Sequence, residues 1–597
     1  MQVAEATQIG GSSKNPTDNA RTCSASCHLQ IVTVIGSAFL LLGWLVTEHF
    51  PPWLSWHSEV VVFFGAILTA WIGLWRAVVG ARDRDIALPR VLIPVLVLGA
   101  LAVLHAVFGL STYFGNTVVF TFYVGLVVAA ATLGYSVAST PSVVAPQGTG
   151  SLAPFTVLAV SFLSGGILSS IVGLAQALNV WEHTSLIVHV ADAHRPGGNM
   201  GQANHLATLA VMALASLAFL KLTGRIAPIT TIVLGVVLCL GVSLSGSRSG
   251  ALSVLLLSAW LYTERKNTVL ALSARWPIGL LGVFALFTLL VQPGLDFLQV
   301  LRLSSPNRLM GEFGPRLTVW PQLIEAVSLR FWFGWGIGET APAHNAVAHA
   351  YMVSAPFTYS HNIFLDLALW VGVPLAVGLT TLVAVGAWQR IRLSNHVLAW
   401  YCLAITLPFA VHCMFEFPFA YAYFLAPVAF FLGALEGSLG IGPMLRLPWR
   451  WCAALLVTFT FALSWSVAEY MALEEDFRIA RFEAMRLGST PPTHTRPRVF
   501  LLTQLGQLVI GTRVKPHAQM APEQLHELRD LALHYPWIAT QYRYALALAL
   551  NGNESEAARQ FKVIRAHHGS KTYERIKAQF LAQAASDFPQ LLAMKLP

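Results

Sequence analysis

Charged residues are scarce in this chain, and their scarcity excludes a soluble globular protein. Asp, Glu, Lys and Arg make up only 11% of the 597 residues, whereas 55% are hydrophobic and the mean hydropathy is +0.62. Soluble domains carry about 25% charged residues. An apolar helix of about 20 residues can cross a bilayer while satisfying its own backbone hydrogen bonds. The composition therefore predicts a membrane protein with many spans.

Other absences narrow the chemistry. Of the six cysteines, two lie in the N-terminal tail and four in apolar segments, so no disulfide framework is expected. The chain has no P-loop, dinucleotide fingerprint, serine elbow or zinc spacing in a suitable context. It also lacks a cluster of loop aspartates that would hold a divalent cation. We therefore expect no cofactor and no metal, and the scattered basic residues argue against nucleic acid as a partner.

Apolar segments long enough to cross a bilayer dominate the chain. We predict an all-α fold with about thirteen transmembrane helices. The predicted spans are 30–48, 58–78, 91–109, 117–138, 155–178, 204–222, 228–245, 249–263, 276–292, 362–385, 397–415, 420–437 and 450–468.

Basic residues alternate between the loops and set the expected orientation. Arg76, Arg82, Arg84 and Arg90 share one loop, whereas the short loops 49–57 and 109–116 have no Lys or Arg. This positive-inside pattern predicts a cytoplasmic N-terminus and, with thirteen spans, a C-terminus outside. The loop 138–154 departs from the pattern because it lacks a basic residue. No cleavable signal is expected, since the polar residues 1–29 precede a full-length span.

Two long segments on the outer side interrupt the short loops, and a polar region follows the last span. We predict the following regions: a cytoplasmic tail 1–29; nine spans over 30–292 with an outer segment 179–203; a large outer loop 293–361; four spans over 362–468; and an outer helical region 476–597. Within the last, residues 544–561 have the pattern of a helix, a glycine turn and a helix, which resembles a tetratricopeptide hairpin. The hairpin is either a docking surface or a structural cap.

Two arginines are candidates for binding an anion. Arg248 stands in Ser-Gly-Ser-Arg-Ser-Gly between two spans, where small neighbours leave room for a head group. Arg316 lies in the large loop. A guanidinium contacts phosphate through two hydrogen bonds, so together they suit a pyrophosphate. Taken singly, Arg248 is equally consistent with an interfacial residue that extends to the head groups, and Arg316 with a solvated charge.

A histidine at the start of a span is the candidate proton acceptor. His361 carries an imidazole, the kind of side chain that can accept a proton from a hydroxyl group, and Asn362 beside it offers both a donor and an acceptor. Asp366 lies about one turn further and is expected to orient the imidazole. The alternative is a structural histidine at a span boundary.

Polar groups at two other span ends complete the set of candidates. Gln202, Asn204 and His205 form a hydrogen-bonding rim suited to sugar hydroxyls, or alternatively cap a helix. Glu416 lies in a very short outer turn, where it could balance the arginines or orient His361. Tyr421 follows the turn and is a candidate substrate contact, together with Tyr423.

These motifs, in this order, resemble the O-antigen ligase/polymerase (Wzy_C) superfamily over most of residues 200–385. Gly201-Gln202-Ala-Asn204-His205 is similar to the signature of PglL-type O-linked oligosaccharyltransferases, the protein glycosylation ligases. Glu416-Phe417-Pro418 is similar to their Glu-Tyr-Pro element, with phenylalanine in place of tyrosine. The departure removes any role for a hydroxyl at position 417; Tyr421 or Tyr423 could supply one.

The resemblance implies a GT-C-like enzyme of the bacterial inner membrane with its active site facing the periplasm. It implies transfer of a glycan from undecaprenyl diphosphate to Ser or Thr of exported, pilin-like proteins without a metal. Our hypothesis for the reaction is an inverting displacement at the anomeric carbon. Arg248, Arg316 and His361 would be catalytic; Gln202, Asn204, His205, Asn362, Glu416 and Tyr421 would bind substrate.

Three alternatives remain open. The first is an O-antigen ligase with lipid A-core as acceptor, or a repeat-unit polymerase. The second is a transporter, which the absence of an internal repeat and of midplane ionisable groups disfavours. The third is a membrane receptor whose C-terminal helices bind partners.

Overall fold

A computed structural model describes residues 16–80, 85–140, 152–180, 184–189, 195–264, 273–298, 314–490 and 494–597. Arg82 and Arg84, which the orientation argument used, lie outside these residues, as do most of the loop 138–154 and part of the loop 293–361. The described chain is almost entirely helical. This agrees with the expected fold class at the level of a polytopic, mainly α protein.

The first half of the chain contains nine helices and one strand in its described part. In chain order they are α1 (Pro16–Leu45), α2 (Trp56–Gly80), β1 (Asp85–Leu88), α3 (Ile93–Val107), α4 (Phe114–Ala138), α5 (Ala153–Ala177), α6 (Ala203–Leu222), α7 (Pro228–Ser245), α8 (Arg248–Glu264) and α9 (Arg275–Phe297).

The second half continues with twelve helices and one strand in its described part. They are α10 (Arg316–Leu329), α11 (Thr340–Ala348), α12 (Ile363–Val371), α13 (Val373–Leu393), α14 (Val397–Cys413), α15 (Ala422–Ser438), β2 (Leu445–Pro448), α16 (Trp449–Ala484), α17 (Thr503–Gly511), α18 (Pro522–His534), α19 (Ile538–Leu550), α20 (Glu554–His568) and α21 (Ser570–Ser586).

Eight of the described helices are long and apolar enough to cross a bilayer, and three shorter apolar helices accompany them. Each of the thirteen segments predicted as spans contains helix, but the count of thirteen stays a prediction. The eight are Trp56–Val79, Arg90–Val107, Phe114–Ala138, Ala153–Ala177, Ala203–Leu222, Pro228–Ser245, Arg275–Phe297 and Trp449–Ala484; the shorter three are Gln30–Leu45, Val397–Cys413 and Ala422–Ser438.

The predicted span 362–385 is wrong as a single helix. It is broken at Gly372, which has φ +82° and separates α12 from α13. A Cβ at Gly372 would lie 2.3 Å from the carbonyl oxygen of Trp332, so only glycine fits this close approach. Pro374 follows at the start of α13, where its missing N–H costs nothing. Because the helix is broken here, the part of the large loop that contains Trp332 can pack against the junction of α12 and α13.

A two-stranded antiparallel sheet is the exception to the all-α expectation. β1 pairs with β2 in the register Asp85–Pro448 to Leu88–Leu445, which ties the α2–α3 connection to the α15–α16 connection. These two connections lie at one end of the helices. We call the opposite end, which carries Gln202, His361 and Glu416, the site face.

The tightest helix packing in the core joins α4 to α15. A Cβ at Gly134 would lie 2.0 Å from the carbonyl oxygen of Phe430, and one at Gly433 would lie 1.9 Å from that of Ala131. Glycines at these contacts let the two backbones approach closely, which is the main source of attraction between helices in lipid. These contacts join the second halves of α4 and α15, towards the end opposite the site face.

The last membrane helix extends well beyond the bilayer. α16 has 36 residues, so at 1.5 Å per residue it is about 54 Å long, against a hydrocarbon core of about 30 Å. It continues without a break past residue 468, where the last span was expected to end, and past residue 476, where the C-terminal region was expected to begin. Its far end lies among the C-terminal helices.

The C-terminal helices pack on the large loop and on the α3–α4 turn. Glu339 accepts hydrogen bonds from the backbone N–H of Thr112 (3.0 Å) and from His534 Nε2 (2.8 Å), and Ser354 N donates to the carbonyl of Ala566 (2.9 Å). Burial lowers the pKa of His534, but the hydrogen bond and charge of Glu339 outweigh burial, so the net shift is upward. The Glu339–His534 ion pair therefore links the large loop to the C-terminal helices.

The helix–turn–helix pattern predicted over 544–561 is confirmed. α19 ends at Leu550, Gly552 adopts φ +79°, and Asn553 caps α20 by accepting a hydrogen bond from Glu556 N. The resemblance of this hairpin to a tetratricopeptide unit stays a prediction.

Candidate active site

Glu416 is the centre of the site, because three predicted residues from three different segments converge on it. Arg316, the first residue of α10, forms an ion pair with Oε1. Asn204 Nδ2, from the first turn of α6, donates to the same oxygen at 3.1 Å. His361 Nδ1 lies 2.5 Å from Oε2. Both carboxylate oxygens are thus occupied by groups that the sequence analysis named separately.

The contact with Glu416 determines which nitrogen of His361 carries the proton. A carboxylate can only accept, so Nδ1 donates to it and Nε2 is the nitrogen left with a lone pair. The imidazole is also held between Phe357 and Phe417, at ring-centroid distances of 4.7 and 5.0 Å. The side chain remains partly exposed, so it is oriented on one edge and accessible on another.

The backbone of His361 explains how its side chain reaches Glu416. Its φ is +59°, in the left-handed region, which is uncommon for residues other than glycine. This turn precedes α12, whose N-cap is Asn362; the Asn362 side chain accepts hydrogen bonds from Phe364 N (3.1 Å) and Leu365 N (3.2 Å). Asn362 therefore starts the helix that follows the histidine, and its Nδ2 donates to the Met414 carbonyl at 3.2 Å.

The expectation that Asp366 orients His361 is wrong. Asp366 is fully buried and accepts hydrogen bonds from Ser360 N (2.8 Å) and from Thr340 Oγ1 (3.2 Å). The His361 ring contacts Glu416, Phe357 and Phe417. Glu416 orients the histidine instead, the second of the two roles that the sequence left open for it.

The electrostatics of the site keep Glu416 ionised. Burial by itself raises the pKa of this carboxyl, but the hydrogen bond and charge of His361 and the charge of Arg316 outweigh it, so the pKa falls below its usual value. At neutral pH the group is a carboxylate that holds Arg316 and His361 in place.

The polar rim at the start of α6 is also built into the site. Gln202 Nε2 donates to the hydroxyl of Tyr421 at 2.7 Å, and His205 Nδ1 lies 2.9 Å from the hydroxyl of Tyr423. His205 is fully buried, whereas Gln202 and Asn204 are half-buried. Gln202 and Asn204 are thus the members of the rim that a substrate can reach, and His205 lies beneath them.

Phe417, which departs from the family's Glu-Tyr-Pro element, lies in an aromatic stack. Its ring is nearly parallel to that of Tyr359, with centroids 4.6 Å apart and an angle of 16°, and it also stacks on Tyr421 at 6.0 Å. The stack fixes the wall of the site next to His361. Both candidate hydroxyls have partners: Tyr421 bonds Gln202, and Tyr423 bonds His205.

Arg248 begins α8 on the site face, as predicted. The preceding turn includes Gly246, whose carbonyl accepts a hydrogen bond from Arg195 Nη1 at 2.9 Å. Arg195 belongs to the first outer segment, and the sequence analysis did not single it out. The sequence feature that could have indicated Arg195 is its position next to the Pro-Gly-Gly that precedes the polar rim. The two-arginine clamp of Arg248 and Arg316 stays a prediction.

A second glutamate, which was not predicted from the sequence, supports the Glu416 turn. Glu59, in the first turn of α2, is 1% exposed and accepts hydrogen bonds from Ala422 N (2.6 Å) and Tyr123 Oη (2.8 Å). Tyr123 Oη also lies 2.9 Å from the carbonyl of Ala420. The turn between α14 and α15 is thereby fixed at its end nearest Tyr421. An acidic residue at the start of an apolar span was the available signal.

Within the described residues, no group of three or more His, Cys, Asp or Glu side chains is arranged to hold a metal ion. The expectation of metal-free chemistry remains a prediction that requires its own test.

Comparison with known families agrees with the motifs. The family described as "Protein glycosylation ligase" matches residues 196–220, "O-Antigen ligase" matches 233–380, and "Virulence factor membrane-bound polymerase, C-terminal" matches 400–583. The first two segments contain the polar rim, both candidate arginines and His361. The third contains Glu416 and most of the C-terminal helices.

Two curated relatives come from Acinetobacter baylyi. A general O-oligosaccharyltransferase is 23% identical over 569 residues, which cover 92% of this chain and 95% of that protein. A ComP-specific O-oligosaccharyltransferase is 30% identical over 247 residues, 40% of this chain and 44% of that protein. These similarities confirm the resemblance that the sequence motifs indicated.

Proposed function

We propose that this chain, a membrane glycosyltransferase of the O-antigen ligase superfamily, is an O-linked oligosaccharyltransferase. Its donor is a glycan on undecaprenyl diphosphate, and its acceptor is a Ser or Thr hydroxyl of an exported protein. The reaction takes place on the periplasmic face of the inner membrane. The observation that carries the proposal is the convergence of Arg316, His361 and Asn204 on Glu416.

In this proposal His361 activates the acceptor. Its Nδ1–H is held by the Glu416 carboxylate, so Nε2 accepts the proton of the acceptor hydroxyl as the oxygen attacks the anomeric carbon. The carboxylate also stabilises the imidazolium that forms, because it is ionised at neutral pH. The geometry resembles the carboxylate–histidine arrangement that orients a base in other group-transfer enzymes.

The arginines act on the leaving group. As the bond from the acceptor oxygen to the anomeric carbon forms, the bond from that carbon to the diphosphate oxygen breaks, and its electron pair leaves with the diphosphate. Arg316 and Arg248 stabilise the charge that develops there, the work a metal does in many glycosyltransferases. Attack and departure on opposite faces of the sugar invert the anomeric configuration.

Gln202 and Asn204 bind the glycan or shape the entry of the acceptor. They are half-buried, polar and adjacent to the base, and Tyr421 fixes Gln202 from behind. Hydroxyl-rich ligands need such paired donors and acceptors. A protein acceptor is favoured by this rim and by the helical region on the site face, which provides a surface beside the site.

The test uses purified full-length protein, a synthetic undecaprenyl-diphosphate glycan and a serine-containing acceptor protein. We expect a glycan mass on a serine or threonine, with an inverted anomeric centre by NMR. His361→Asn is the sharpest variant, because asparagine tolerates the left-handed backbone while lacking the imidazole. Transfer should fall about 10²–10⁴-fold.

His517→Asn serves as the matched control, since His517 is an exposed histidine far from the site along the chain. Full activity of His361→Asn would remove His361 as the base. Loss of transfer in a chelator, restored by a divalent cation, would overturn the metal-free proposal.

Matches to an O-antigen ligase family and to a polymerase family favour a second candidate function on the same site. The acceptor would then be lipid A-core or a second lipid-linked glycan, with the same base and clamp. Offering all three acceptors at equal concentration separates the candidates. Glycan on lipid A-core or on the second donor, with none on protein, would replace our proposal.

A further inference from the structure

An exposed apolar patch lies where the large loop meets the membrane helices. It consists of Ile324 and Leu329 of α10 and the turn residues Phe331, Trp332 and Phe333. Trp332 is 68% exposed and Phe333 is 81% exposed, and no described residue covers them. Soluble surfaces seldom leave neighbouring large aromatic side chains in water, so the patch has a partner.

The turn that carries the patch is rigidly attached to the protein. Val373 N donates to the carbonyl of Phe331 (2.8 Å), and Trp335 N donates to that of Leu369 (2.6 Å). Gly334 packs against the backbone of Trp370, where a Cβ would lie 2.6 Å from its carbonyl carbon and oxygen. The aromatic side chains therefore project from a fixed backbone instead of a loose loop.

The depth of the turn follows from its contact with α3. Ile337 N donates to His105 Nδ1 at 3.1 Å, and Gly336 lies against the carbonyl of Leu110. His105 is in the last turn of α3, one of the eight helices long and apolar enough to span the bilayer. The turn is thus level with the end of a membrane span on the site face.

Two neighbours of the turn share this level and face outward. Val107 and Phe108, at the end of α3, are 72% and 75% exposed. On the other side, α13 starts at Val373 and continues with exposed apolar side chains, including Val377 and Leu382. The patch therefore continues the exposed apolar surface of α3, which is long and apolar enough to cross a bilayer, and of α13.

We propose that the patch inserts into the head-group region of the leaflet on the site face and anchors the large loop to the bilayer. The composition suits this partner, because Trp and Phe concentrate at the membrane–water boundary. Arg330 lies between the two halves of the patch with its guanidinium 4.4 Å from the ring centroid of Trp335, at a level where lipid phosphates lie. The anchor holds α10, and hence Arg316 at its start, at the level of a lipid-linked diphosphate.

The test measures whether the side chain of Trp332 is in contact with lipid or with water. Full-length protein labelled with 5-fluorotryptophan is reconstituted in phosphatidylcholine nanodiscs, and Trp332→Phe assigns the ¹⁹F resonance. A nitroxide at carbon 5 of the lipid chain should broaden it at least about twofold, since interfacial groups lie about 5–10 Å deep. A water-soluble gadolinium chelate should leave it unchanged.

Trp537, 45% exposed in the turn before α19, provides the internal control and should show the opposite pattern. If Trp332 behaves like Trp537, the patch is in water and the proposal is overturned. The proposal also fails if Trp332 responds to neither probe but shifts when an acceptor protein is added, because the patch would then be a protein-binding surface. These spectra require no catalytic activity, so they are independent of the proposed function.

A charge substitution supplies a second measurement. Ile324→Asp places a carboxylate in the patch, whereas Thr318→Asp places one on an exposed position of the same helix outside it. Only the first should raise the KM for the lipid-linked donor, by about fivefold or more. Equal effects of the two variants would contradict the anchor.

Discussion

Helix α15 has a glutamate–arginine pair at each end, and the two pairs differ in exposure and in the number of their partners. At the site face, Glu416 lies in the turn before the helix and binds Arg316, His361 and Asn204. At the opposite end, Glu436 is fully buried and bonds a single side chain, that of Arg390. One oxygen of Glu436 and Nε of Arg390 have no hydrogen-bond partner among the residues that the structure describes.

The difference separates a pair that could bind a ligand, as the proposed function requires, from a pair that joins two helices. The Arg316 side chain is 30% exposed, so its remaining donors can bind a ligand while Glu416 holds it. The Arg390 side chain is 14% exposed and also donates to the Gly386 carbonyl of its own helix, so it links α13 to α15. Charge in a membrane protein therefore does not by itself mark a site; accessibility and shared partners do.

The largest expected effect on activity is at the Glu416–Arg316 pair, which we call the open pair. Arg316→Ala should lower the rate of glycan transfer about 10²–10³-fold, because in the proposed mechanism the diphosphate loses one of its two arginine contacts. Thermal unfolding should change little. The measurement is single-turnover transfer in detergent, with Arg478→Ala as control, since Arg478 pairs with Glu475 on an exposed face of α16. A wild-type rate of transfer in Arg316→Ala would show that the open pair contributes no more to catalysis than the closed pair does.

The Glu436–Arg390 pair, which we call the closed pair, should affect stability more than activity. Glu436→Ala leaves the Arg390 charge without its partner and should lower the free energy of unfolding by about 3 kcal/mol. The transfer rate per folded molecule should stay near that of the wild type. Thermal unfolding followed by size-exclusion chromatography measures the loss. The double variant Arg390→Met, Glu436→Leu should recover most of it; failure to recover would show that the pair does more than hold two helices together.

Acid should weaken the open pair through Glu416. The folded-state pKa of this carboxyl is lowered from 4.5, so its stabilising contribution is complete above about pH 4.5 and is lost as the pH falls through the folded value. Wild type should unfold roughly 1–3 °C above Glu416→Gln at neutral pH, and the gap should close well below pH 4.5. A gap that persists at acid pH would contradict the ion pair with Arg316.

The smallest effect is expected at Phe417. Phe417→Tyr restores the residue of the family element, but the aromatic stack with Tyr359 and Tyr421 stays the same. We expect kcat/KM to change less than about threefold. A gain of tenfold or more would mean that a hydroxyl at this position takes part in catalysis, and that Tyr421 does not replace it.

Four polar residues that were predicted singly from the sequence meet in the structure. His361, Asn204 and Glu416 stood out because polar side chains at span ends are rare, and Arg316 stood out as an arginine of the large loop; their roles in a reaction stay a prediction. Their convergence on one carboxylate was not predictable. It depends on contacts between segments 55 to 212 residues apart, which no local pattern encodes.

The errors arose where backbone geometry decides direction. A spacing of five residues suggested that Asp366 faces His361, but a left-handed residue at 361 turns the ring towards Glu416 instead. Hydropathy predicted one span over 362–385, although Gly372 followed by Pro374 ends one helix and starts another. The pairing of β1 with β2 was missed because four-residue strands have no reliable period of their own.

The contacts between the C-terminal helices and the large loop also set the order in which the protein can be completed. Ser354 N bonds the carbonyl of Ala566, and Glu339 bonds His534, so part of the cover of the loop that joins Arg316 to His361 comes from residues synthesised last. At about 5–20 residues per second, the 236 residues that follow His361 in the chain of 597 take about 12–47 s to make. During this time the loop lacks its contacts with the C-terminal helices. A chain that is released early would contain all the apolar helices but not the C-terminal helices that pack on the site face.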